Sequence, residues 1–389
     1  MLRVLSSYLT YASNRAISHI FLSLCRPEIE VPVQFTCLVS SCDPDVEHSN
    51  VVKAIPNLIR PFVFRLRAND AMTEWRYLQM LKHFDAAYLW PGFSLATIKK
   101  VKNQGQPIFI ERINCFTGFT KSVMNSEYMR LGLGPRHPTP DQTVQDELEE
   151  TKLADFIFCP SPHVRSSFLD AGVPDEKLLL SSYGWCPDHF PQLLQQNPAP
   201  KAVDRPFTIL FVGTVCVRKG AHLLMEAYVR SGIKGRLILC GAMEPAIAEI
   251  CQDWLRRPDI IHQPYVNNIS TFYQDADLFA FPSLEEGSPL VSYEAMAHGL
   301  PMLVSPMGGG EIVRDGVDGF VRSEFDRDAW IEMMQKLAAS PDLRYQLGYN
   351  ASQRAAEFTY EKVANRRAQS ILEHLTDKTS NPTVLSRSF

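Results

Sequence analysis

The segment ILFVGTVCVRKGAHLLMEAYV, residues 209–229, contains the structural unit that repeats along the chain. The apolar run 209–212 predicts a strand that ends at Gly213, and residues 221–229 have the pattern of a helix. A glycine at the end of a strand lets a ligand approach the backbone closely. The segment therefore predicts a strand, a binding loop and a helix, in that order.

Short apolar runs alternate with helical patterns on both sides of this segment. Strands are predicted at residues 3–5, 33–39, 86–89, 108–110, 156–159, 178–181, 208–212, 236–240, 260–262, 278–281 and 302–304. Helices are predicted at residues 221–229 and 291–298, and residues 343–375 predict one helix or a pair. This alternation is typical of α/β proteins whose parallel sheets are built from βαβ units. Ligands of such sheets bind beyond the carboxyl ends of the strands.

The length of 389 residues exceeds what one hydrophobic core usually supports, so we expect two domains. Residues 191–206 (PQLLQQNPAPKAVDRP) are rich in Pro and Gln and predict the linker. The N-terminal domain then spans residues 1–190 and the C-terminal domain residues 207–375, whose last helix can pack back on the first domain. Residues 376–389 predict a flexible polar tail. We expect two Rossmann-like, doubly wound domains that face each other across a cleft.

The composition excludes several classes of protein. Hydrophobic residues make up 45% of the chain and charged residues 21%, which is typical of globular proteins. The net charge of −4 gives no electrostatic reason to expect nucleic acid as a partner. Neither a membrane-spanning run nor a signal segment is evident, and nine scattered cysteines without a CxxC pair indicate reduced thiols and no zinc site. These features predict a cytoplasmic protein.

Two adjacent cations, Arg218 and Lys219, lie in the loop before the helix predicted at residue 221. The helix dipole disfavours cations at this end, so their position is explained if an anion lies between them and the helix. A diphosphate is the natural candidate, because Arg binds it in bidentate fashion and Lys as a point charge. The alternative is a solvated basic turn. Gly241, at the end of the next predicted strand, is a weaker signal of the same kind.

Residues 281–301, FPSLEEGSPLVSYEAMAHGLP, place Glu286 and Glu294 around a predicted helix start. Ser288 and Pro289 suit the N-cap and first position, so Glu286 would precede the helix and Glu294 would lie in its second turn. The first amides of the helix would form an anion site; they belong to Leu290, Val291 and Ser292. Each carboxylate could accept hydrogen bonds from sugar hydroxyls. The alternative is that both glutamates are ordinary surface charges, and Glu285 is expected to face solvent.

These motifs resemble the donor domain of retaining glycosyltransferases of family 4, which have the GT-B fold. The Glu-x7-Glu motif of that family is matched by Glu286 and Glu294, and the resemblance covers about residues 207–370, with a weaker part at 150–190. It implies that a sugar is transferred from a nucleotide-diphosphate sugar to a hydroxyl acceptor with retention of configuration. The implied setting is the assembly of polysaccharide, lipopolysaccharide or another glycoconjugate.

The resemblance also implies a role for each matched residue. Glu286 would contact the transferred sugar, and Glu294 would hold the ribose. The diphosphate would be bound by Arg218, Lys219 and the amides of Leu290 and Val291, with Gly213, Thr214 and Gly241 lining the nucleotide site. The chain departs from the family at Thr214, where an arginine is common, and it has no glycine-rich loop before Gly92. We expect the donor as substrate, with no metal and no other cofactor.

Two Asp-x-Asp patterns offer a competing, metal-dependent interpretation. Asp275 and Asp277 precede their predicted strand and so would face away from the cleft. Asp43 and Asp45 follow a strand but are equally typical of a turn. Neither pair therefore changes the expectation of a metal-free site.

The N-terminal domain is expected to bind the acceptor, whose identity stays open among glycans, lipid-linked glycans and small molecules. Glu111, Arg112 and Asn114 follow a predicted strand and suit either a substrate role or a buried loop contact. A basic cluster of Lys99, Lys100 and Lys102 is typical of a solvated face, with contact to an anionic membrane as the alternative. Two alternatives to transfer also stay open, namely a non-catalytic sugar-nucleotide-binding partner protein and a GT-B epimerase.

Overall fold

A computed structural model describes residues 1–13, 16–27, 31–46, 50–195, 205–266 and 268–380. Seven strands of the described residues form a parallel sheet in the order β3-β2-β1-β4-β5-β6-β7. They are β1 (Leu2–Ala12), β2 (Val33–Cys42), β3 (Val51–Lys53), β4 (Ala86–Leu89), β5 (Ile108–Glu111), β6 (Phe156–Cys159) and β7 (Leu178–Leu180). The central strands β4, β5 and β6 are buried along their whole length, as expected for a sheet covered on both faces.

Six further strands within the described residues form a second parallel sheet in the order β10-β9-β8-β11-β12-β13. They are β8 (Phe207–Val212), β9 (Gly235–Cys240), β10 (Ile260–Gln263), β11 (Leu278–Phe281), β12 (Met302–Val304) and β13 (Gly319–Val321). Because β8 lies between β9 and β11, the loops that follow these three strands meet at one edge of the sheet.

Helices connect the strands of both sheets. In the first half they are α1 (Ala16–Leu24), α2 (Arg60–Arg65), α3 (Asn69–Leu81), α4 (Leu95–Gln104), α5 (Thr117–Arg130), α6 (Asp141–Leu153) and α7 (Pro162–Asp170). In the second half they are α8 (Ala221–Ser231), α9 (Pro245–Ile250), α10 (Gln252–Leu255), α11 (Ile269–Asp275), α12 (Leu290–Ala297), α13 (Arg327–Ala339), α14 (Pro341–Ala355) and α15 (Tyr360–Ser380). The predicted fold class, two doubly wound α/β sheets of the GT-B type, is confirmed.

All eleven predicted strands are present, with ends that differ by a few residues, except for β1, which extends to Ala12. The two strands that were not predicted, β3 and β13, are three residues long and lie at sheet edges. The segment predicted as one helix or a pair is two helices, α14 and α15. The proposed linker lies between the two sheets, but residues 196–204 are outside the described part of the chain, as are residues 381–389 of the proposed tail.

The last helix, α15, returns to the first sheet and packs against α1 and β2. Its Arg367 is buried and forms an ion pair with Glu111 at the end of β5. Just before the crossing, the amide of Trp185 donates to the carbonyl of Phe358 over 3.0 Å. Buried polar contacts therefore join the two halves of the chain at residues other than the linker.

No disulfide is formed among the cysteines of the described residues. Within that same part of the chain, no helix combines the length and the apolar character needed to cross a bilayer.

Candidate functional site

The loops after β8 and β9 touch each other at two glycines. Gly213 has φ +127° and Gly241 has φ +140°, a backbone region that L side chains rarely adopt. A Cβ atom on Gly241 would lie 2.2 Å from the carbonyl oxygen of Gly213, so these loops could not pack with a side chain there. The sequence predicted both glycines as strand-end positions, and the structure brings them together.

The loop that carries Arg218 packs on the loop after β11. The amide of Leu284 donates to the Arg218 carbonyl over 2.9 Å, and the Ser283 hydroxyl donates to the same oxygen over 3.2 Å. Gly220, at φ +67°, directly precedes α8. It lies so close to the loop after β11 that a Cβ would be 2.0 Å from the Pro282 carbonyl oxygen. These contacts fix the predicted basic loop against the loop that contains Glu286.

Both predicted cations converge on one carboxylate oxygen. The Nζ of Lys219 lies 3.2 Å and the Nη1 of Arg218 lies 3.3 Å from Oε1 of Glu286. Lys219 also lies over the ring of Phe281, with 5.1 Å between Nζ and the ring centroid. The three residues predicted to act on sugar and diphosphate are therefore in direct contact, which sequence spacing alone did not require.

Glu285 does not face solvent, so that prediction was wrong. The residue is buried, and its Oε2 lies 3.1 Å from Nη1 of Arg218, which also donates to the Glu285 carbonyl over 2.8 Å. Burial raises the pKa of Glu285, and the charge of Arg218 offsets part of this shift. Arg218 thus contacts both Glu285 and Glu286. The first domain covers the loop that carries these two glutamates.

The helix start lies one residue later than predicted. α12 begins at Leu290, after Pro289, and the Ser288 hydroxyl lies 2.7 Å from the hydroxyl of Tyr293 rather than capping the helix. The amide of Ser292 is used by the Pro289 carbonyl, at 3.1 Å. The amides of Leu290 and Val291 have no intrahelical acceptor at their positions, so they remain the candidates for contact with an anion.

Glu294 lies in the second turn of α12, as predicted, and is half-buried. The hydroxyl of Tyr273 donates to its Oε2 over 3.0 Å. Burial raises the pKa of Glu294 to about 7, although the hydrogen bond from Tyr273 acts in the opposite direction. A carboxylate held at this position can accept hydrogen bonds from two vicinal hydroxyls.

The candidate site is more exposed at Thr214 and Glu294 than at Glu286, where the N-terminal half covers it. Thr214 is exposed and Glu294 is half-buried, but Glu286 is buried. A Cβ on Gly287 would lie 1.6 Å from the carbonyl oxygen of Ile113, and the carbonyl of Glu286 lies 3.6 Å from Sγ of Cys115. The N-terminal half therefore packs directly on the backbone of the loop that carries Glu286.

Polar contacts between α5 and the second sheet hold this closed arrangement. Oε1 of Glu127 lies 2.6 Å from Nε2 of His222, and the hydroxyl of Tyr128 donates to Oε1 of Glu244 over 2.5 Å. Burial opposes ionisation of Glu127, but hydrogen bonds from Arg130 and His222 lower its pKa to about 2. The other oxygen of Glu244 accepts from the Val217 amide over 2.8 Å, so Glu244 links α5 to the basic loop.

Sequence reasoning missed one further acidic side chain, Glu311, in the run MGGGEIV. Burial raises its pKa to about 8, and the charge of Glu286 adds to this shift. A run of glycines followed by a carboxylate indicates close backbone packing and could have identified this residue. Glu311 is thus a second carboxyl group, in addition to Glu294, whose pKa is raised by burial.

The residues behind the competing interpretations have other contacts. Asp277 accepts from the Thr208 amide over 2.9 Å at the amino end of β8, away from the loops described above.

The polar residues predicted near the end of β5 also have protein partners. Glu111 accepts from the hydroxyls of Tyr88 and Tyr183 and pairs with Arg367, so it makes buried contacts within the protein and does not face the cleft. The proposed basic cluster includes Lys102, which pairs with Asp155 at 3.0 Å. The remaining residues named with Glu111 are Arg112, which pairs with Glu147 and Glu150, and Asn114, beside Gly287.

Comparison with known proteins places the C-terminal sheet in a family context. Residues 206–340 match the sequence model of the glycosyl transferases group 1. The capsular polysaccharide biosynthesis glycosyltransferase CapM of Staphylococcus aureus is 29% identical over 161 residues, which cover 40% of this chain and 42% of CapM. The chain thus spans less than half the length of this curated relative. The predicted resemblance to group 1 glycosyltransferases is confirmed over this region.

Two solved structures match almost the whole chain. The lipopolysaccharide outer core galactosyltransferase WaaB aligns with a TM-score of 0.66 at 12% identity, covering 96% of this chain and 100% of WaaB. HepE of Anabaena, in complex with UDP-glucose, aligns with a TM-score of 0.66 at 15% identity, again covering 96% of this chain and 100% of HepE. At these identities the similarity establishes the fold, which is shared across both sheets.

Proposed function

We propose that this chain, whose fold is GT-B and whose C-terminal sheet resembles the group 1 glycosyltransferases, transfers a sugar from a nucleotide-diphosphate donor to a hydroxyl acceptor in glycoconjugate assembly. The observation that carries the proposal is the convergence of Arg218 and Lys219 on Glu286 at the ends of neighbouring strands. Glu294 lies eight residues further along the chain, in the second turn of α12. Diphosphate, sugar and ribose thereby each have a group of suitable chemistry along one edge of the sheet.

We propose that the transfer proceeds without a metal ion. The leaving diphosphate carries the charge that develops as the glycosidic bond breaks, and Arg218, Lys219 and the α12 amides can neutralise it. Such fixed donors cost little reorganisation at the moment of reaction. Activity that persists in excess chelator supports this part of the proposal, and activity that requires added Mg²⁺ or Mn²⁺ would overturn it.

We propose retention of anomeric configuration, with attack on the face from which the diphosphate departs. This course needs no nucleophile from the protein, because the leaving diphosphate, held by Arg218 and Lys219, can take up the proton of the acceptor hydroxyl, and Glu286 then serves only to contact the sugar. The check is NMR of the initial product, in which the anomeric proton coupling reports its configuration.

A screen of nucleotide sugars tests the donor site directly. UDP-glucose comes first, because HepE has been solved with it, and GDP- and ADP-sugars follow. Calorimetric binding with slow hydrolysis of the donor supports a transferase. Binding without turnover on any acceptor would favour the non-catalytic partner, interconversion of the free sugar nucleotide would favour an epimerase, and absence of binding would contradict all three.

We also propose that the acceptor is presented at an anionic membrane, at a surface other than the lysine cluster. The segment around α2 exposes Leu58 (93%), Phe62 (67%) and Leu66 (60%), with Arg65 and Arg67 exposed among them. Large apolar side chains interleaved with arginines suit a bilayer interface, where the rings enter the headgroup region and the cations meet lipid phosphates.

Sedimentation with vesicles distinguishes this surface from a merely apolar patch. The wild-type protein is expected to bind vesicles that contain phosphatidylglycerol and to bind pure phosphatidylcholine much more weakly. The double variant Phe62→Ser/Leu66→Ser should lose most of this binding, whereas Tyr265→Ser, which removes another exposed ring (78%), should not. Equal binding by all three proteins would contradict the proposed surface.

A further inference from the structure

A cluster of two imidazoles and one thiol lies away from the loops of the donor site. His19 is in α1, and Cys186 and His189 belong to the segment that follows Trp185 near the end of the first domain. One ligand atom from each of the three residues lies within 4.8 Å of the others. His19 and Cys186 are half-buried, and His189 is exposed.

We propose that His19, Cys186 and His189 bind a transition-metal ion, with Zn²⁺ as the natural occupant. Imidazole and thiolate are the ligands that zinc prefers, and three protein ligands leave a fourth tetrahedral position for water or for the neighbouring Asp188. The proposal stands apart from the proposed transfer reaction, because the ion-pair partners of Glu286 in the described residues are Arg218 and Lys219, not members of this cluster.

The geometry requires only a small adjustment to hold the ion. Zinc bonds of about 2.0–2.3 Å place tetrahedral ligand atoms roughly 3.3–3.8 Å apart, so the widest separation must shrink by about 1 Å. The rings of His19 and His189 already lie with their centroids 4.4 Å apart and their planes at 30°. His189 is exposed on a single three-residue turn, Pro187–His189, so its side chain can rotate at little cost.

Contacts with neighbouring residues restrain His19 and the chain next to Cys186. The hydroxyl of Ser23 lies 3.4 Å from Nε2 of His19, where it can orient the ring. The ring of Tyr360, the first residue of α15, packs edge-on against His19 at 5.7 Å. Next to Cys186, the indole N–H of Trp185 donates to the carbonyl of Ala355, and the carbonyl of Trp185 accepts from the amide of Tyr360. These hydrogen bonds attach Trp185 to the end of α14 and to the start of α15.

The position indicates what the ion would do. α1 belongs to the first sheet, and the segment from Cys186 leads toward the second sheet, where the Phe190 ring packs on His298 at 4.8 Å. An ion held by His19 and by Cys186 would tie α1 to the connecting segment and to the start of α15. We therefore assign the cluster as a structural clamp at the crossing between the two domains.

Cobalt titration of the chelator-treated full chain tests the site, because Co²⁺ bound to thiolate absorbs in the near ultraviolet and tetrahedral Co²⁺ absorbs strongly in the visible. We expect one equivalent to give both bands and Zn²⁺ to displace it. Cys186→Ser should lose the near-ultraviolet band, and His189→Ala should weaken binding by more than about tenfold. His83→Ala, which removes another exposed histidine, should bind like the wild type.

Thermal denaturation supplies a second, independent measurement. Stoichiometric Zn²⁺ should raise the melting temperature of the wild type and of His83→Ala but not that of His189→Ala, since the last variant lacks an exposed ligand and should fold normally. A weak octahedral cobalt spectrum without the thiolate band, or equal zinc stabilisation of all three proteins, would overturn the assignment.

Discussion

The ammonium nitrogen of Lys219 lies 3.2 Å from Oε1 of Glu286, an oxygen that Arg218 also approaches to 3.3 Å. A diphosphate that binds at this loop would compete with Glu286 for both cations. The carboxylate of Glu286 would then be released toward the sugar, while the cations moved to the charge that leaves. Without a donor, the ion pairs hold the three side chains beside one another, next to the proposed diphosphate site.

Replacement of Lys219 should reduce turnover far more than it reduces stability. We expect Lys219→Met to lower kcat about 100- to 1,000-fold, the usual effect of removing one donor that stabilises developing charge. Steady-state kinetics with the best donor of the screen provide the measurement. Lys234→Met, which removes an exposed lysine directly before β9, is the matched control and should leave kcat unchanged. A similar loss in both variants would contradict the role of Lys219.

Nucleotide binding should depend on pH through Glu294. Its pKa is raised to about 7 by burial, so below this pH the carboxyl is largely protonated and can accept fewer hydrogen bonds from ribose. We expect affinity to increase as the pH rises from 5.5 to 7.5, with proton release on binding, as measured by calorimetry in buffers of different ionisation enthalpy. In Glu294→Gln the affinity should fall by about 10- to 100-fold and lose most of this pH dependence.

The same group should make stability depend on pH in the opposite direction. In the unfolded chain Glu294 loses its proton near its ordinary pKa of 4.5, but in the folded protein it does so only near 7. Its contribution to stability is therefore fully present below pH 4.5 and is lost as the pH rises to about 7. The midpoint of urea unfolding should thus fall less between pH 5 and 7 in Glu294→Gln than in the wild type; an identical slope would contradict the raised pKa.

The sequence predicted the fold well because buried parallel strands leave a clear pattern. Apolar runs such as 278–281 and 302–304 stand between loops rich in Gly and Pro, and the structure places strands at these residues. β3 and β13 were missed because three-residue edge strands carry too few residues to show a pattern. Their pairing depends on the neighbouring strand, which local sequence does not encode.

Only those parts of the candidate site that depend on short, continuous segments of sequence could be predicted. Spacing placed Glu286 before α12 and Glu294 within it, and strand-end glycines located the binding edge. The burial of Glu285 could not be predicted, because the loop that carries it packs against Ile113 and Cys115, about 170 residues earlier in the chain. The cluster of His19, Cys186 and His189, the proposed metal site, was not predicted for the same reason, since His19 is far in sequence from the other two residues.

The buried ion pair between Arg367 and Glu111 should be important for stability. Both side chains are almost fully buried, and Glu111 also accepts from the hydroxyls of Tyr88 and Tyr183. Glu111→Gln leaves the Arg367 charge uncompensated and should lower the free energy of unfolding by about 3–5 kcal/mol, as measured by urea denaturation. The comparison variant Glu149→Gln breaks an exposed pair with Lys152 and should cost less than about 1 kcal/mol. An equal loss of unfolding free energy in the two variants would contradict the importance of the buried pair.

Closure of the two halves over Glu286 should depend on the absence of a side chain at Gly287. A Cβ at this position would lie 1.6 Å from the carbonyl oxygen of Ile113, which is backbone and can yield only if the domains move apart. We expect Gly287→Ala to lower kcat at least about 100-fold, because a displacement of about 1 Å misaligns the reacting groups.

Nucleotide affinity separates this effect from misfolding. Thr214 and Glu294, which are proposed to contact the nucleotide, belong to the second half of the chain and are not fully buried. Gly287→Ala should therefore bind the free nucleotide within a fewfold of the wild type. Gly316→Ala is the matched control, since its Cβ would meet nothing within 4 Å and only the backbone strain at φ +74° remains. Small-angle scattering of Gly287→Ala should report a larger radius of gyration than in the wild type, and unchanged turnover in this variant would contradict the requirement for closure at Ile113.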